Sequence, residues 1–242
     1  MSPKTKNWLT IPAAALVLAL LFGIFLWLIP SLEKKQKEEE LKLLFREYYE
    51  KKVAEFEAEN PLLWGVDVAF LGDSLTEGYD LNLYYPEFTT ANRGIGGDTS
   101  FGVEERLKAS VYDLNPRSVV LLIGGNNVET MMENYEAILL GISEHLPHTK
   151  VVLVSVPPRS GSARIKNGQI LLNNQQIQVL AAQYGFSYVD LYTPLLDPDQ
   201  GELRAEYTPD GAHFTSQGYE IYTSLLKPIL EEQLLSPAAA QE

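Results

Sequence analysis

Runs of aliphatic and β-branched residues alternate with longer helical stretches along most of this chain, and this alternation limits its possible folds more than any other feature. The strand candidates are Val66–Leu71, Phe88–Asn92, Ser118–Ile123, Val151–Val156 and Ser187–Leu191. The helix candidates are approximately Phe101–Leu114, Glu129–His145, Ile165–Tyr184 and Ser216–Leu234. Continuous apolar runs such as VVLLI suit strands that are covered on both faces. The pattern predicts an α/β protein, a three-layer α/β/α sandwich around a parallel five-stranded sheet.

Polar and glycine-rich segments follow four of these strands. GDSLT (72–76) follows the first strand, NRGIGGD (92–98) the second and GGNN (124–127) the third, while DGAH (210–213) comes after the fifth, just before the last helix. In open α/β sheets the ligand site lies beyond the carboxyl ends of the strands. Segments far apart in sequence are therefore predicted to meet at one edge of the sheet and to form the functional site.

Composition excludes several classes of function. The 242 residues contain no cysteine, which rules out disulfide scaffolds, cysteine-ligated zinc and thiol nucleophiles. The formal net charge is −13, and the first sixty residues contribute nothing to it, because their nine basic and nine acidic residues cancel. The remainder of the chain is therefore strongly acidic and repels phosphate backbones, so we expect no nucleic-acid partner.

The amino-terminal region carries a long uncharged stretch. Trp8 to Ile29 spans 22 residues without a charge, roughly 33 Å as a helix, which matches the hydrocarbon core of a bilayer. A cleavable signal peptide would have a shorter apolar core and a small-residue cleavage site, and neither is present. We therefore expect an uncleaved transmembrane helix in a bacterial-type cell membrane, crossing once. The flanking lysines do not fix the orientation, and we expect the catalytic domain outside.

Residues 33–60 contain no glycine and consist mostly of strong helix formers. Apolar residues that include Leu41, Phe45 and Tyr48 recur at helical spacing and form a stripe along one face. This segment is predicted to be a charged helical spacer whose second half packs on the domain as its first helix, although a coiled-coil stalk is an alternative. The domain prediction is thus a membrane anchor at 1–32, a spacer at 33–60, the folded domain at 61–236 and a tail at 237–242. The oligomeric state is left open.

A serine, a histidine and an aspartate among the strand-end residues form a candidate nucleophilic site. A serine hydroxyl attacks effectively only when a base removes its proton and a third group orients the base. Ser74 follows the first strand. His145 and His148 lie at a helix end on the opposite side of the sheet, which leaves His213 as the base, and Asp210 lies close enough in sequence to hold its ring. Ser74, His213 and Asp210 are therefore the predicted catalytic residues.

The same site needs donors for a developing oxyanion. The backbone amide of Ser74 is one candidate. Gly97 is a second, because a glycine lets the backbone amide approach a ligand closely, and the side-chain amide of Asn126 is a third. No metal is expected: the two histidines of HLPH lack a carboxylate motif, and the DPDQG segment (197–201) lacks calcium ligands at the required positions, so it is interpreted as a turn.

The four segments together resemble the sequence blocks of the SGNH (GDSL) hydrolases, particularly the branch related to platelet-activating-factor acetylhydrolase and bacterial acyl-esterases. The resemblance spans about residues 66–222, with all blocks in order. It implies a flavodoxin-like sheet, no cofactor, Ser74 as nucleophile, His213 as base and Asp210 as its partner. It also implies structural roles for Asp73 and Asp98. Two positions depart from the family pattern: Asn127 stands where many members have aspartate, and Phe214 stands where proline is frequent.

These features favour a serine esterase that uses a Ser-His-Asp triad and an acyl-enzyme to cleave carboxylic esters. We expect short-chain or acetyl esters of a cell-surface glycan or lipid as substrates. A lysophospholipase or thioesterase acting on longer chains is the alternative within the same chemistry, and Tyr79, Leu83 and Tyr84 would favour it if they lined an acyl pocket. An inactive surface-binding module is the alternative from another class. Dinucleotide binding is the weakest alternative, because Thr99 replaces the third glycine of the required motif and the glycine-rich segment follows the second strand and not the first.

Overall fold

The computed structural model describes residues 13–235, with side chains described from Leu32 onward. The chain divides into two compact units, Met1–Tyr48 and Tyr49–Glu242. Helix α1 runs over Ala13–Leu63 and so contributes to both units. The predicted domain boundaries remain predictions, and the predicted tail at 237–242 lies outside the described residues.

The predicted transmembrane helix requires correction. Residues 8–12 of the predicted span, and the side chains of its other residues, lie outside what the structure describes. Within the described part of the chain, no helix is both long enough and apolar enough to cross a membrane. This finding contradicts the predicted anchor, the single-pass membrane location and the membrane contact that depended on it.

Among the residues that the structure describes, five parallel strands form the main sheet in the order β2-β1-β3-β4-β5. These strands are β1 (Val68–Gly72), β2 (Thr90–Gly94), β3 (Ser118–Leu122), β4 (Lys150–Val154) and β5 (Ser187–Val189). All neighbouring strands pair in parallel, with Gly72 beside both Gly94 and Leu122. This is the flavodoxin-like order. Successive strands are added to one side of β1 and then to the other, and ligands of such folds bind at this switch point between β1 and β3. The predicted α/β fold, strand count and topology are confirmed within the second unit.

Helices cover both faces of the sheet. They are α2 (Ser74–Glu77), α3 (Leu81–Tyr84), α4 (Ser100–Glu105), α5 (Tyr135–His145), α6 (Asn167–Tyr184), α7 (Tyr192–Leu195) and α8 (Ser216–Leu235). A short antiparallel ribbon, β6 (Leu196–Asp197) with β7 (Glu202–Leu203), lies between α7 and α8. Because strand side chains alternate in direction, Leu71 packs in a core with α4, α5 and α6, whereas Phe70 packs with α3, α7 and α8. The domain is therefore a three-layer sandwich.

A buried arginine joins the carboxyl ends of β1 and β2. Arg106 is 2% exposed and lies between α4 and a π-helical turn, Lys108–Tyr112. Its Nε donates to Oδ2 of Asp98 at 2.8 Å, Nη2 donates to the carbonyl of Gly72 at 2.9 Å, and Nη1 donates to the carbonyl of Arg93 and to Ser110. A charged donor thus satisfies carbonyls at the ends of two strands and fixes the loops that follow them.

Asp73 holds the turn that leaves β1. It is 3% exposed, and its Oδ1 accepts the backbone N–H of Leu75 at 3.0 Å, which caps helix α2. Burial raises the pKa of this carboxyl to about 6, because loss of hydration opposes ionisation more than the Leu75 hydrogen bond and the charge of Arg159 favour it. The two aspartates for which structural roles were predicted, Asp73 and Asp98, are therefore both buried.

We predict that Arg106→Met lowers the free energy of unfolding by about 3–5 kcal/mol, because the Asp98 carboxylate would be left buried without its partner. Lys108→Met is the matched control, since Lys108 pairs only with Asp113 and both side chains are exposed; it should cost less than about 1 kcal/mol. Urea unfolding followed by circular dichroism measures both. Equal losses in the two variants would contradict a central role for Arg106.

We predict a pH-dependent stability difference between the wild type and Asp73→Asn. The pKa of Asp73 is raised on folding, so its contribution to stability is complete below about pH 4 and is lost as the pH rises through about 6. Asparagine keeps the capping oxygen without the charge. The variant should therefore gain about 2–3 kcal/mol relative to the wild type between pH 4 and pH 7.

Urea unfolding at several pH values in that range measures this difference. The matched control is Asp80→Asn, because Asp80 caps α3 in the same way but is exposed. Parallel pH curves for the wild type and Asp73→Asn would show that burial of Asp73 does not raise its pKa.

Candidate active site

The turn from β1 into α2 presents Ser74 at the carboxyl edge of the sheet. The turn is tight: a Cβ on Gly72 would lie 2.2 Å from Oγ1 of Thr76 and 2.3 Å from the carbonyl oxygen of Leu122, so only glycine fits there. Ser74 is the first residue of α2, and it is partly exposed. The sharp turn therefore leaves the hydroxyl accessible at the end of β1.

Asp210 and His213 lie on one short turn before α8. Oδ1 of Asp210 accepts the backbone N–H groups of Ala212 and His213 at 2.9 and 2.8 Å, so the turn orients the carboxylate. Oδ2 accepts from Nδ1 of His213 at 2.6 Å. These hydrogen bonds, that of the imidazole first, hold the pKa of the Asp210 carboxyl well below its usual range. Asp210 is therefore ionised at neutral pH and fixes the orientation of the ring.

The structure brings the three predicted catalytic side chains into one hydrogen-bonded chain. Nε2 of His213 lies 3.0 Å from Oγ of Ser74, and its other ring nitrogen contacts Asp210. Because Nδ1 faces a carboxylate, it carries the proton, which leaves Nε2 free to accept the proton of Ser74. The side chains of His213 and Asp210 are about half exposed, so this hydrogen-bonded chain is open to solvent.

The other two predicted donors lie on neighbouring loops. Gly97 is exposed in a left-handed conformation, with φ of 79°, and its N–H has no acceptor among the residues that the structure describes. Nδ2 of Asn126 donates to the carbonyl of Asp98 at 2.8 Å, which fixes the amide and leaves one of its two N–H bonds unused by the described residues. This hydrogen bond also ties the loop after β3 to the loop after β2.

The apolar residues after the first block are divided between the core and the surface. Tyr79, Leu81 and Tyr85 are buried in the core, Tyr84 is half-buried, and Leu83 is 66% exposed. Phe214, which follows His213, is also buried in this core and packs edge-to-face on Tyr219 of α8.

The remaining histidines lie away from the site. His145 ends α5, stacks on Tyr112 with ring centroids 4.2 Å apart and contacts the carbonyl of Gly141 through Nδ1. His148 is exposed in the turn before β4. Both positions precede β4 and therefore lie at its amino end, opposite the carboxyl edge that carries Ser74.

The sequence analysis missed Arg159, which follows β4 and reaches the same edge. A Cβ on Gly125 would lie 2.3 Å from Nη2 of Arg159 and 3.6 Å from Oδ2 of Asp73, so the guanidinium lies beside the loop that carries Asn126. Its position after a strand is the signal that could have identified it. The predicted site used residues that follow the first, second, third and fifth strands, and residues at the carboxyl end of β4 include this arginine.

Comparisons with solved structures agree with this fold. A Streptococcus pneumonia protein described as a candidate platelet activating factor superposes with a TM-score of 0.74 at 28% identity, covering 81% of this chain and 98% of its own. A GDSL-like lipase from Bacteroides thetaiotaomicron superposes with a TM-score of 0.68 at 26% identity, covering 75% and 98%.

A more distant solved structure shares the fold alone. An acetylxylan esterase from Geobacillus stearothermophilus superposes with a TM-score of 0.57 at 18% identity, covering 69% of this chain and 94% of its own. No curated protein matches this chain in sequence.

A family model describes most of the second unit. The model of the GDSL-like lipase/acylhydrolase family matches residues 70–221, a range that begins within β1 and ends within α8. It therefore includes all four strand-end segments of the site. This match covers more than half of the 242 residues. The chain thus belongs to the GDSL-like lipase/acylhydrolase family and is an ester hydrolase.

Proposed function

We propose that the protein is a serine esterase that works through an acyl-enzyme, with Ser74, His213 and Asp210 as its triad. One observation carries the proposal: the continuous hydrogen-bonded chain from Asp210 through His213 to the Ser74 hydroxyl. This is the arrangement that nucleophilic catalysis by serine requires, a nucleophile within reach of a base that a third group orients.

The reaction follows from these positions. Nε2 of His213 takes the proton of Ser74 as Oγ attacks the ester carbonyl carbon. The tetrahedral intermediate collapses, and the imidazolium returns the proton to the leaving alkoxide as the ester C–O bond breaks. Water then attacks the acyl-enzyme with His213 again as base, which releases the acid and frees Ser74. Asp210 stays ionised throughout and stabilises the imidazolium.

Three donors are proposed to stabilise the oxyanion: the amides of Ser74 and Gly97 and Nδ2 of Asn126. The two amides have no acceptor within the described structure, and Asn126 has one unused N–H bond. Asn126 is also fixed by the carbonyl of Asp98, so its orientation is set before the reaction. Donors that are already oriented stabilise developing charge without a cost of reorganisation.

We propose short acyl esters, acetyl above all, as the substrates. The side chains of Asp210 and His213 are about half exposed, and most of the apolar segment after Ser74 is buried in the core, including Tyr79, Leu81 and Tyr85. This segment therefore offers little apolar surface for a long acyl chain, which argues against the lysophospholipase or thioesterase alternative.

Ser74→Ala should lower kcat/KM for p-nitrophenyl acetate by about 10³-fold or more, because no other group is positioned to attack. Ser224→Ala is the matched control, since Ser224 is exposed on α8 and hydrogen-bonds only to the carbonyl of Ile221. Hydrolysis is followed by release of p-nitrophenolate. If Ser74→Ala kept more than about a tenth of the activity, the nucleophile assignment would be wrong.

The same assay with acetate, butyrate and octanoate esters tests the substrate proposal. We expect Ser74-dependent turnover to fall as the acyl chain lengthens. Turnover that rises with chain length would favour the long-chain alternative. A folded wild-type protein without turnover on any of the three esters would favour the inactive binding module.

Asn126→Ala should lower kcat for p-nitrophenyl acetate by about 10²–10³-fold with little change in KM, because the lost donor acts on the transition state. The control is Asn82→Ala, an exposed asparagine on α3. Thermal unfolding separates a catalytic defect from a folding defect. A kcat within threefold of the wild type would exclude Asn126 from the oxyanion hole.

A further inference from the structure

Arg159 is held firmly by its backbone but leaves its charged group without a direct partner. Its N–H donates to Oδ1 of Asn167 at 2.8 Å, and its carbonyl accepts from Nδ2 of Asn167 and from the N–H of Leu203. Its guanidinium, by contrast, makes no hydrogen bond and no ion pair within 4.0 Å with any residue that the structure describes, and Asp73 and Asp210 act on it only through their charge. The loop therefore fixes the backbone of Arg159, whereas the N–H donors of its guanidinium remain available to a ligand.

The guanidinium lies inside the candidate active site. Nη2 occupies the space above Gly125, the residue before Asn126, where any Cβ would collide with it at 2.3 Å. The carboxylates of Asp73 and Asp210 are the charges that favour its protonated form, against a burial that lowers its pKa. The group is thus partly desolvated and lies between the elements that carry the nucleophile, the triad acid and the third oxyanion donor.

Two other arginines of the domain show what a structural role looks like here. Arg106 donates to a carboxylate, a hydroxyl and two carbonyls, and Arg93 donates to Glu59, Asn60 and a carbonyl. A guanidinium that served only to neutralise Asp73 or Asp210 would gain most from a direct, bidentate contact, which is absent from the described structure. Donors left unused at the edge of a reaction site are suited to a ligand.

We propose that Arg159 binds an anionic group of the ester substrate, a carboxylate or phosphate close to the scissile bond, and so determines specificity. The inference rests on the proposed esterase function. A guanidinium offers five donors in a planar fork that matches both anions. Because the domain is strongly acidic, it repels anions in general, so a local cation is needed wherever one is to be bound.

The test compares charged and neutral esters of matched shape. Mono-p-nitrophenyl fumarate, whose trans double bond keeps the carboxylate from attacking its own ester, and its methyl ester place the charge on the acyl side, whereas 4-acetoxybenzoate and its methyl ester place it on the alcohol side. Selectivity is the ratio of kcat/KM for the charged ester to that for its neutral partner. We expect Arg159→Gln to lower this ratio about 10-fold or more for one of the two pairs, which identifies the side that carries the anion.

Two further variants sharpen the test. Arg159→Lys keeps the charge without the fork and should retain part of the selectivity. Arg164→Gln is the matched control, because Arg164 is a nearby exposed arginine whose nearest carboxylate, Glu202, lies 3.9 Å away, and it should leave the ratio as in the wild type. Thermal unfolding verifies that each variant is folded.

An unchanged ratio for both pairs in Arg159→Gln would overturn the proposal, and so would an equal loss on charged and neutral esters, which would assign Arg159 to the electrostatics of the triad. Failure of the proposed function looks different. In that case the neutral esters would show no Ser74-dependent hydrolysis in the wild type.

Discussion

The contacts of the Arg106 guanidinium hold together the edge of the sheet on which the candidate site is built. This buried charge binds the carbonyl of Gly72 at the end of β1, the carbonyl of Arg93 near the end of β2 and the carboxylate of Asp98 in the loop that follows. Parallel strands end with carbonyl groups that face away from their ladder partners, and a buried carbonyl without a donor costs free energy. The carbonyl of Gly72 also accepts from the N–H of Ile95 at 3.2 Å, and Arg106 adds a charged donor there while it donates to the carbonyl of Arg93 on the neighbouring strand. It thereby fixes the turn that carries Ser74 relative to the loop that carries Gly97.

The rest of the site follows from that fixed edge. The carbonyl of Asp98 accepts from Asn126, so the position of the third proposed oxyanion donor depends on the loop that Arg106 anchors. His213 and Asp210 belong to a separate turn before α8, and Nε2 of His213 lies 3.0 Å from Oγ of Ser74. The site thus combines a buried part, where charges and hydrogen bonds fix the proposed oxyanion donors, with an exposed part, where the proposed base, His213, can exchange protons with solvent. The proposed two-step ester hydrolysis requires both features, donors that are oriented in advance and a base that water can reach.

The sequence was sufficient to predict the sheet but not every helix. Apolar strands that are buried on both faces leave a clear pattern, and the strand order and count agree with it. The predicted helix Phe101–Leu114 instead divides into α4 and a π-helical turn. The division falls where Arg106 turns inward and where Asn60 donates to the carbonyl of Ala109 at 2.7 Å. Such tertiary hydrogen bonds override helix propensity and leave no local signal. The predicted site residues could be named because strand ends converge, whereas the engagement of Arg106 could not.

Two arginines of this domain lie close to the same carboxyl edge, and their difference is informative about function. Arg106 has its donors occupied by the protein, as a stabilising group must, since an unpaired buried charge is costly. Arg159 accepts part of that cost without a direct partner in the described structure. Folding alone does not explain a partly desolvated cation that makes no side-chain hydrogen bond or ion pair with the described residues, because rotation of the side chain toward solvent would relieve the penalty. A site that must attract an anion into an acidic domain does explain it, since the cost of desolvation is then offset when the substrate binds.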